Sequence, residues 1–432
     1  MNGLQPFSRI IPFCIYLLWT LHLSGQTSSP GASANWLEKV EFKPVVGLQF
    51  WAVYTTGEEV YNEATGRYDP VDNRYDAMLR RSRLGFRMQP LEDVQISVIG
   101  SMDVVGRDLL SATQGASNNG SMPAFGLWNA ILQWRVVPKR EVLHLAAGYL
   151  TPQVGREHIT CALRVTSMEK SWSQNYLRRH LTGTGPGRAA GIQAGGLLRR
   201  EGSRLALTYD AGIFNPLFEA LGGNSTGKNA SALTTIKVTL HVGDPESSTY
   251  SLSHKINYFS KRRGLSLGFS RAHQGATDLF THNAATSLDA LFNWGSWNLD
   301  GEWSWLSREG DTPSKQARCQ TGYFRVSYNV LLERDRIIEP VVMFMQFRGA
   351  MDQEAQAEAV AVKSFAGRDQ AVDVGLNYYP VTDIRFTLHY TWQQGNAGEG
   401  GDGVIFNNYF FQRDAGPIHR GDWLGLGVVL TY

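Results

Sequence analysis

The feature that most constrains this chain is an alternation of apolar and polar residues at a period of two, in segments of about ten to thirteen residues. After residue 25 there is no run of about 18 apolar residues, so a membrane-spanning form of this chain has to be a closed β-barrel. In 81–88, an extended strand places three arginines on one side and apolar residues on the other, where a helix would scatter them: Arg81, Arg83 and Arg87 against Leu84, Phe86 and Met88.

Composition agrees with an all-β chain and excludes several other classes. The 432 residues include 45 Gly, 20 Phe, 17 Tyr and 12 Trp, and charged residues make up 19%, below the ~25% of an ordinary soluble domain. This aromatic content excludes a disordered chain, and three cysteines are too few for a disulfide scaffold. A formal net charge of +2 offers no basis for binding nucleic acid.

The first 25 residues are interpreted as a cleaved secretory signal. Arg9 and the chain amine precede an apolar run over 10–23, which is shorter than the ~20 residues of a comfortable membrane helix. An N-terminal anchor helix is the alternative. The predicted division is a signal at 1–25, a periplasmic N-terminal segment at 26–42 and a transmembrane β-barrel at 43–432.

The number of strands follows from the connections between alternating segments. Tight and long connections alternate along the chain, as expected for short periplasmic turns and long outer loops. Only 249–259 breaks this order, so we predict that 243–262 is one longer periplasmic connection, with room for a short helix, and that sixteen strands form the barrel. Seventeen segments show the alternation: 43–54, 77–89, 93–105, 126–137, 141–150, 189–200, 203–214, 232–242, 249–259, 263–273, 285–294, 296–307, 319–330, 335–348, 368–379, 383–394 and 421–432.

The last segment is interpreted as the closing strand and as an assembly signal. Apolar residues recur at every second position from Leu424 to the aromatic Tyr432. Such a stripe faces lipid in an outer-membrane barrel, where the last strand pairs with the first and is recognised by the assembly machinery. The closing strand of a soluble barrel or sandwich is the alternative.

Five short motifs resemble the phosphate-selective porins O and P, in the order in which that family has them: 80–85, 148–155, 166–170, 187–192 and 375–380. The resemblance implies a sixteen-stranded outer-membrane barrel, often trimeric, with an anion-preferring pore. In the family, lysine clusters line the constriction and arginines line the wall. Here the third outer loop is rich in Arg and has one lysine, Lys170, so the resemblance supports a porin more firmly than a phosphate channel.

Arginines on the predicted inner wall are the candidate pore residues: Arg81, Arg83, Arg87 and Arg385. The spacing of the first three puts them about 7–14 Å apart along one strand. Guanidinium groups bind phosphate or carboxylate through paired hydrogen bonds, so an anion could pass from one to the next. Alternatively, they pair with lumen acids such as Asp103 and brace the wall. The sequence leaves both interpretations open.

The longest outer connection, 151–188, carries six bases against Glu157 and Glu169, a net charge of +4. The first outer loop, 55–76, has a net charge of −4. A cationic loop folded into the lumen would narrow the pore and favour anions. Contact with lipid phosphate or with a neighbouring subunit is the alternative. The candidate constriction residues are Arg156, Arg164, Lys170, Arg178, Arg179 and Arg188.

Enzymatic function is not expected. No G-x-S-x-G motif occurs, and the histidines show no metal-ligand spacing with a partner Cys or His. Cys161 and Cys319 are far apart in the chain and form no recognisable motif. The sequence therefore predicts no catalytic residues, no metal and no cofactor.

Together these observations predict an all-β, 16-stranded antiparallel transmembrane barrel in the cell outer membrane, with passive diffusion of small anionic, phosphate-like solutes as its function. The alternative is a non-conducting structural or secretion-associated barrel plugged by its loops. Nucleic acid is not an expected partner. The expected partners are outer-membrane lipid and lipopolysaccharide, the barrel-assembly machinery through the C-terminal strand, small anionic solutes and, by the resemblance, two further copies in a homotrimer.

Overall fold

The structure, a computed structural model, describes residues 40–106, 108, 110, 125–183, 186–216, 229–312, 315–401, 405–412 and 416–432. The predicted signal at 1–25, and the N-terminal segment except for its last residues 40–42, lie outside this part of the chain. None of the described helices is long and apolar enough to cross a membrane.

Strands make up most of the described chain. In chain order they are β1 (Glu41–Thr56), β2 (Glu59–Asn62), β3 (Arg67–Pro70), β4 (Arg74–Leu91), β5 (Val94–Ser101), β6 (Gly126–Arg135), β7 (His144–Leu150), β8 (Ala189–Arg199), β9 (Leu205–Asn215), β10 (Leu233–Gly243), β11 (Gly264–Gln274), β12 (His282–Trp294), β13 (Trp297–Glu309), β14 (Gln316–Tyr328), β15 (Val330–Leu331), β16 (Ile337–Arg348), β17 (Arg368–Val381), β18 (Ile384–Asn396), β19 (Phe411–Gln412), β20 (Gly416–His419) and β21 (Asp422–Thr431).

Sixteen of these strands form a closed antiparallel ring, which confirms the predicted count. β1 pairs with β4 on one side and with the last strand, β21, on the other, so the ring has no free edge. The two-residue β15 pairs with β16 at a turn. The four short strands β2, β3, β19 and β20 form a separate small sheet from the first and last outer loops.

The alternation places apolar side chains outside the ring and polar ones inside. On β21 the odd-numbered residues are inward, and Leu424, Leu426 and Tyr432 are exposed, the last at 81%. Leu and aromatic residues are exposed in the same way around the ring. A closed ring satisfies its own backbone hydrogen bonds, and its apolar outer face fits lipid, so the chain is a multi-pass β-barrel of the outer membrane.

One register shift changes which side chains of β4 point inward. The pairing of β1 with β4 shifts between Gln49 and Phe50, opposite Arg80. A bulge of this kind inserts one extra residue and re-aims a side chain. Arg80, which strict alternation sends to the lipid side, is 4% exposed and bonds within the lumen beside Arg81.

The connection between β10 and β11, 244–263, is called the inner segment here. It forms no strand of the wall and contains no helix, so the predicted longer connection is present but the helix is not. The segment enters the lumen, where Tyr250, Ile256 and Asn257 are buried. Tyr250 donates a hydrogen bond to Asp210 of the wall, and Asn257 donates one of 2.8 Å to Glu339.

The third outer loop, 151–188 (L3), also folds into the lumen. It contains a short 3-10 helix, Ala162–Arg164, and the helix α1, Ser173–Thr182, which packs against β12, β13, β14 and β16. The buried residues of the barrel interior include Tyr176, Leu177 and Leu181 of α1. A second helix, α2 (Gln353–Ala361), lies in the loop before β17 and contacts β14.

Candidate functional site

A cavity of about 1140 Å³ lies between the wall and the two segments that fold into the lumen. Its wall side is β1 and β4–β10, and its other side is L3 and the inner segment. It extends from the periplasmic ends of the strands, at Lys43 and Asp93, to Trp128 and Arg188 near the outer ends of β6 and β8. The opposite half of the lumen is filled by α1 and its apolar neighbours.

Buried ion pairs attach L3 to the far wall. Arg325 of β14 donates to Asp300 on the neighbouring strand at 2.7 Å and to Glu157 of L3 at 3.0 Å. All three side chains are almost fully buried, so each charge is compensated inside the protein rather than by water. These contacts fix the first turn of L3 against β13 and β14.

A second network joins L3 to the inner segment. Arg156 donates to Glu246 of the inner segment at 2.8 Å and to Asp289 of β12 at 3.0 Å. Lys237 of β10 bonds the other oxygen of Asp289. One arginine therefore connects the loop, the inner segment and the wall.

L3 reaches nearly the full height of the barrel. Arg164 forms an ion pair of 3.0 Å with Asp383, in the periplasmic turn between β17 and β18. The backbone N–H of Cys161 donates to the carbonyl oxygen of His254, and Thr160 forms a parallel bridge with His254. L3, which enters from the outer side, thus meets the inner segment, which enters from the periplasmic side.

Two acids bond three arginines of β4, of which Arg81 and Arg83 line the cavity. Glu169 of L3 accepts hydrogen bonds from both Arg80 and Arg81. Asp103 accepts one from Arg83 at 2.6 Å. Arg81 and Arg83 therefore pair with acids and also line the cavity, so bracing the wall and facing the cavity are compatible. Arg87, lower on the same strand, is exposed and also lines the cavity.

Three cations of L3 lie beside these pairs, and their hydrogen-bond partners within the described chain are all neutral. Lys170 donates to the carbonyl oxygens of residues 158 and 160, at 3.4 and 2.8 Å. Arg178 donates to the amide oxygens of residues 174 and 175. Arg188 donates to Asn129 at 2.9 Å and to the carbonyl oxygen of Pro186. Among the residues that the structure describes, no carboxylate is bonded to these three cations.

Burial and neighbouring positive charges both lower the pKa of the Lys170 ammonium. Burial lowers the pKa of Lys170 to about 7; Glu157 opposes the shift, and the nearby Arg178, Arg81 and Arg188 reinforce it. L3 is not a membrane-spanning segment, so the surroundings of this ammonium are the lumen and not lipid. Neighbouring cations lower one another's pKa because they repel, and an anion bound between them relieves this repulsion.

Trp128 of β6 lies between two of the cations. The guanidinium carbons of Arg83 and Arg188 are each 3.5 Å from its ring centroid. Stacking on an aromatic face orients a guanidinium and leaves its edge N–H groups directed sideways. One N–H₂ group of Arg83 is buried and has no hydrogen-bond partner among the described residues.

Seven of the ten predicted bases line the cavity: Arg81, Arg83, Arg87, Arg164, Lys170, Arg178 and Arg188. Three do not. Arg156 is held in the ion pairs described above, and Arg179 lies on α1 outside the cavity lining. Arg385 points inward but is covered by L3, donating to the carbonyl oxygen of Val165. These three side chains therefore lie outside the cavity lining.

Three residues of the site are not predicted by the alternation of the sequence: Arg80, Glu169 and Trp128. Strict alternation places Arg80 on the lipid side, because a bulge leaves no mark in the period-two pattern. The sequence pattern marks Glu169 only as an acid of the loop, and it does not distinguish Trp128 from the other aromatic residues. The sequence signal for Arg80 and Glu169 is the adjacent pair of arginines at 80–81, which needs an acid partner, and L3 contains such an acid.

The lining as a whole is positive. Eleven Lys and Arg side chains line the cavity against five Asp and Glu: Lys43, Arg81, Arg83, Arg87, Arg135, Arg164, Lys170, Arg178, Arg188, Lys237 and Lys255 against Glu92, Asp93, Glu141, Asp210 and Glu246. Within the described part of the chain, no group of three His, Cys, Asp or Glu side chains is placed to hold a metal ion.

Comparison with known proteins shows the fold. No family model matches the chain, and no curated protein matches it. Among solved structures, the high-pH structure of Pseudomonas putida OprB is 10% identical over 93% of this chain and 96% of its own, with a TM-score of 0.56. The anion-selective porin from Comamonas acidovorans is 11% identical over 91% and 100%, with a TM-score of 0.54. The outer membrane channel DcaP of Acinetobacter baumannii is 11% identical over 91% and 97%, with a TM-score of 0.52.

Proposed function

We propose that this protein is an outer-membrane channel through which small anionic solutes diffuse passively, by way of the cavity beside L3. The observation that carries the proposal is the group of three L3 cations, Lys170, Arg178 and Arg188, whose described hydrogen-bond partners are all neutral. They line a cavity whose lining has an excess of bases. A pore lined by one sign of charge concentrates the opposite ion.

Phosphate-like or carboxylate solutes are the class we propose. Arg83 and Arg188, stacked on Trp128, present guanidinium edges of the kind that bind such groups through two hydrogen bonds. The resemblance of the five motifs to the phosphate-selective porins O and P supports the same solute class. The lysine cluster of that family has no counterpart in L3, where Lys170 is the single lysine.

A non-conducting barrel is the second candidate function. It is favoured by the contact between L3 and the inner segment, which meet at residues 160 and 254 and share the Arg156–Glu246 ion pair. Two segments that enter from opposite ends and bond each other narrow the lumen along most of its height. In this second function the barrel serves as a structural or secretion-linked protein.

Single-channel recording in planar bilayers separates the two functions. The proposed channel gives discrete conductance steps, and a salt gradient gives a reversal potential with the sign of anion preference. The triple variant Lys170→Met, Arg178→Gln, Arg188→Gln is expected to shift the reversal potential toward cations while still conducting. The variant Lys261→Gln, Arg263→Gln, Arg334→Gln loses the same charge outside the cavity lining and should record like the wild type.

The outcomes are distinct. No conductance from folded barrel would reject the channel and support the plugged barrel. Conductance with an unchanged reversal potential in the triple variant would reject the role of these three cations. Because exposed charges are screened beyond ~8 Å at physiological salt, the recordings are made at low salt as well, where the effect should be larger.

A further inference from the structure

Three exposed arginines face away from the lumen at the outer ends of neighbouring strands. Arg318 lies on β14, Arg348 on β16 and Arg368 on β17. Each alternates with a buried, inward residue: Cys319, Phe347 and Asp369 respectively. The three arginines therefore belong to the outer face of the barrel, which is the face that meets lipid.

The strand register brings these arginines together. Arg348 and Arg368 are directly opposite each other in the pairing of β16 with β17. Arg348 is also opposite Gln320, two residues from Arg318. Directly opposite side chains are ~5 Å apart at their Cβ atoms and diagonal ones ~7 Å, so the three guanidinium groups share one patch.

Within the described residues, no carboxylate forms an ion pair with any of the three. The nearest acid on the outer face by register, Glu309, is opposite Gln316 and makes no ion pair with Arg318. Arg348 donates to Gln346 at 2.8 Å, a neutral partner. Like charges directly opposite each other on a sheet are destabilising, so the patch is incomplete without an anion.

A row of glutamines lies directly below the arginines on the same outer face. Gln346, Gln370 and Gln394 are joined by side-chain hydrogen bonds across β16, β17 and β18. Below that row the outward residues are apolar, including Phe344 and Val374, which are 41% and 39% exposed. The order from the middle of the wall outward is therefore apolar, amide, guanidinium.

This order matches the profile of a lipid leaflet. Arg348 is four residues beyond Phe344, which is ~14 Å along the strand and ~10 Å along the barrel axis after the usual tilt. That height is the level of the lipid headgroups when the apolar residues contact the acyl chains. Guanidinium groups bind phosphate through two hydrogen bonds, and glutamine amides donate to sugar and phosphate oxygens.

We propose that Arg318, Arg348 and Arg368, with the glutamine row beneath them, bind the phosphate groups of a phosphorylated glycolipid in the outer leaflet. The apolar residues below contact its acyl chains. Charge complementarity and the continuity of the patch with the lipid-facing wall select a lipid over a soluble anion. The proposal concerns the outside of the barrel and is independent of conduction through its lumen.

Native mass spectrometry of the purified full-length protein in detergent tests this site. The probes are diphosphorylated lipid A, the same lipid A with both phosphates removed, and inorganic phosphate. The wild type is expected to retain the diphosphorylated lipid about tenfold more strongly than the variant Arg318→Gln, Arg348→Gln, Arg368→Gln. The variant Lys261→Gln, Arg263→Gln, Arg334→Gln removes equal charge at the periplasmic end and should bind like the wild type.

Several results would overturn the proposal. Equal retention of phosphorylated and dephosphorylated lipid A by the wild type would show that the arginines do not recognise phosphate. Displacement of the lipid by an equal concentration of inorganic phosphate would mean a site for free anions. A change of oligomeric state in the Gln variant, without loss of lipid, would identify the patch as a contact between copies. The variant's heat-modifiable gel mobility shows that it is folded, and the single variant Arg348→Gln replaces it if it is not.

Discussion

At the scale of single residues, the charge of the cavity depends on which cations have acidic partners. Glu169 and Asp103 bond the arginines of β4, whereas the described partners of Lys170 and Arg188 are amide or carbonyl oxygens. The arginines of the wall alone therefore do not determine the electrostatic field inside the cavity. The loop that folds against that wall contributes both the neutralising acid and the cations left over.

Lys170 is expected to make anion preference depend on pH. Burial lowers its pKa to about 7, so the ammonium is mostly charged near pH 6 and mostly neutral near pH 8. Anion preference, read from the reversal potential, should fall as pH rises across this interval. In Lys170→Met the decrease should be smaller, because this ammonium is no longer present to lose its charge. An identical pH dependence in both proteins would contradict a role for Lys170.

Replacing Glu169 by Gln should destabilise the barrel and strengthen its anion preference. The change removes the carboxylate shared by Arg80 and Arg81, whose side chains are 5% and 6% exposed. Removing one partner of a buried ion pair costs about 3 kcal/mol or more. The free energy of unfolding from denaturant titration and the reversal potential check the two effects. The exposed Glu63→Gln serves as the control, and equal stability of the two variants would contradict the pairing.

At the scale of elements, the two segments within the lumen are attached differently from the wall. The wall is a continuous ladder of backbone hydrogen bonds, while L3 and the inner segment are held mainly by side chains, with one parallel bridge at Thr160 and His254. Elements with few backbone bonds to the rest of the fold open at lower free energy than a strand ladder. Conductance is therefore expected to depend on them more than assembly does.

Shortening the inner segment should widen the channel without preventing assembly. Gly243 and Gly264 are opposite each other in the β10–β11 pairing, so an Asn-Gly turn can replace 244–263. Single-channel conductance is expected to rise, with normal heat-modifiable mobility. As a control, alanine at Ser247, Ser248 and Thr249 keeps the segment and the wild-type conductance. Unchanged conductance in the shortened protein would place the narrowest point elsewhere.

The last strand should tolerate charge on its inner face but not on its outer face. Tyr432 is 81% exposed beside the lipid-facing row of β21, and its N–H and carbonyl bond Val46. Tyr432→Asp places a charge at the interface, costing up to ~2–4 kcal/mol with depth, and should lower the amount of assembled barrel in the outer membrane. Thr431→Asp, on the cavity side, is the matched control. Equal amounts of both variants would argue against the assembly signal.

At the scale of the whole molecule, the field of the cavity acts on any solute that enters it. Cys161 lies in L3 on the cavity, and Cys319 is buried in the wall; both are free thiols. A reagent that reacts with Cys161 has to enter this cavity, whose lining has an excess of bases. The native cysteine thus reports the sign of that field without further engineering.

Negatively charged thiol reagents should modify the protein faster than positive ones. With a methanethiosulfonate that carries a sulfonate and one that carries an ammonium, we expect a severalfold rate difference that shrinks as salt is raised. Mass spectrometry of the labelled protein gives both rates, and Cys161→Ser should abolish labelling. Equal rates at low salt would mean that the route to Cys161 is electrostatically neutral.

The fold could be predicted from local pattern to an unusual degree, for a physical reason. A strand exposed to lipid on one side and to a polar lumen on the other must alternate apolar and polar residues. The sequence of each segment therefore shows which residues face lipid and which face the lumen. The pairing of β21 with β1 and the exclusion of 249–259 from the wall both follow from that alternation and from the lengths of the connections. The alternation does not reveal the bulge at Arg80, because the extra residue there is an ordinary polar residue with no turn or strand-breaking signal.

The sequence by itself determined the sixteen strands, their inner and outer faces and the concentration of bases in L3. Only the tertiary structure decided which of those bases face the cavity, because their partners are far away in the chain: Arg156 and Asp289 are 133 residues apart, and Arg164 and Asp383 are 219 apart. A period-two pattern records which side of a sheet a residue is on. Ion pairs between a wall and the loops inside it depend on the path that those loops take through the lumen, and no local pattern records that path.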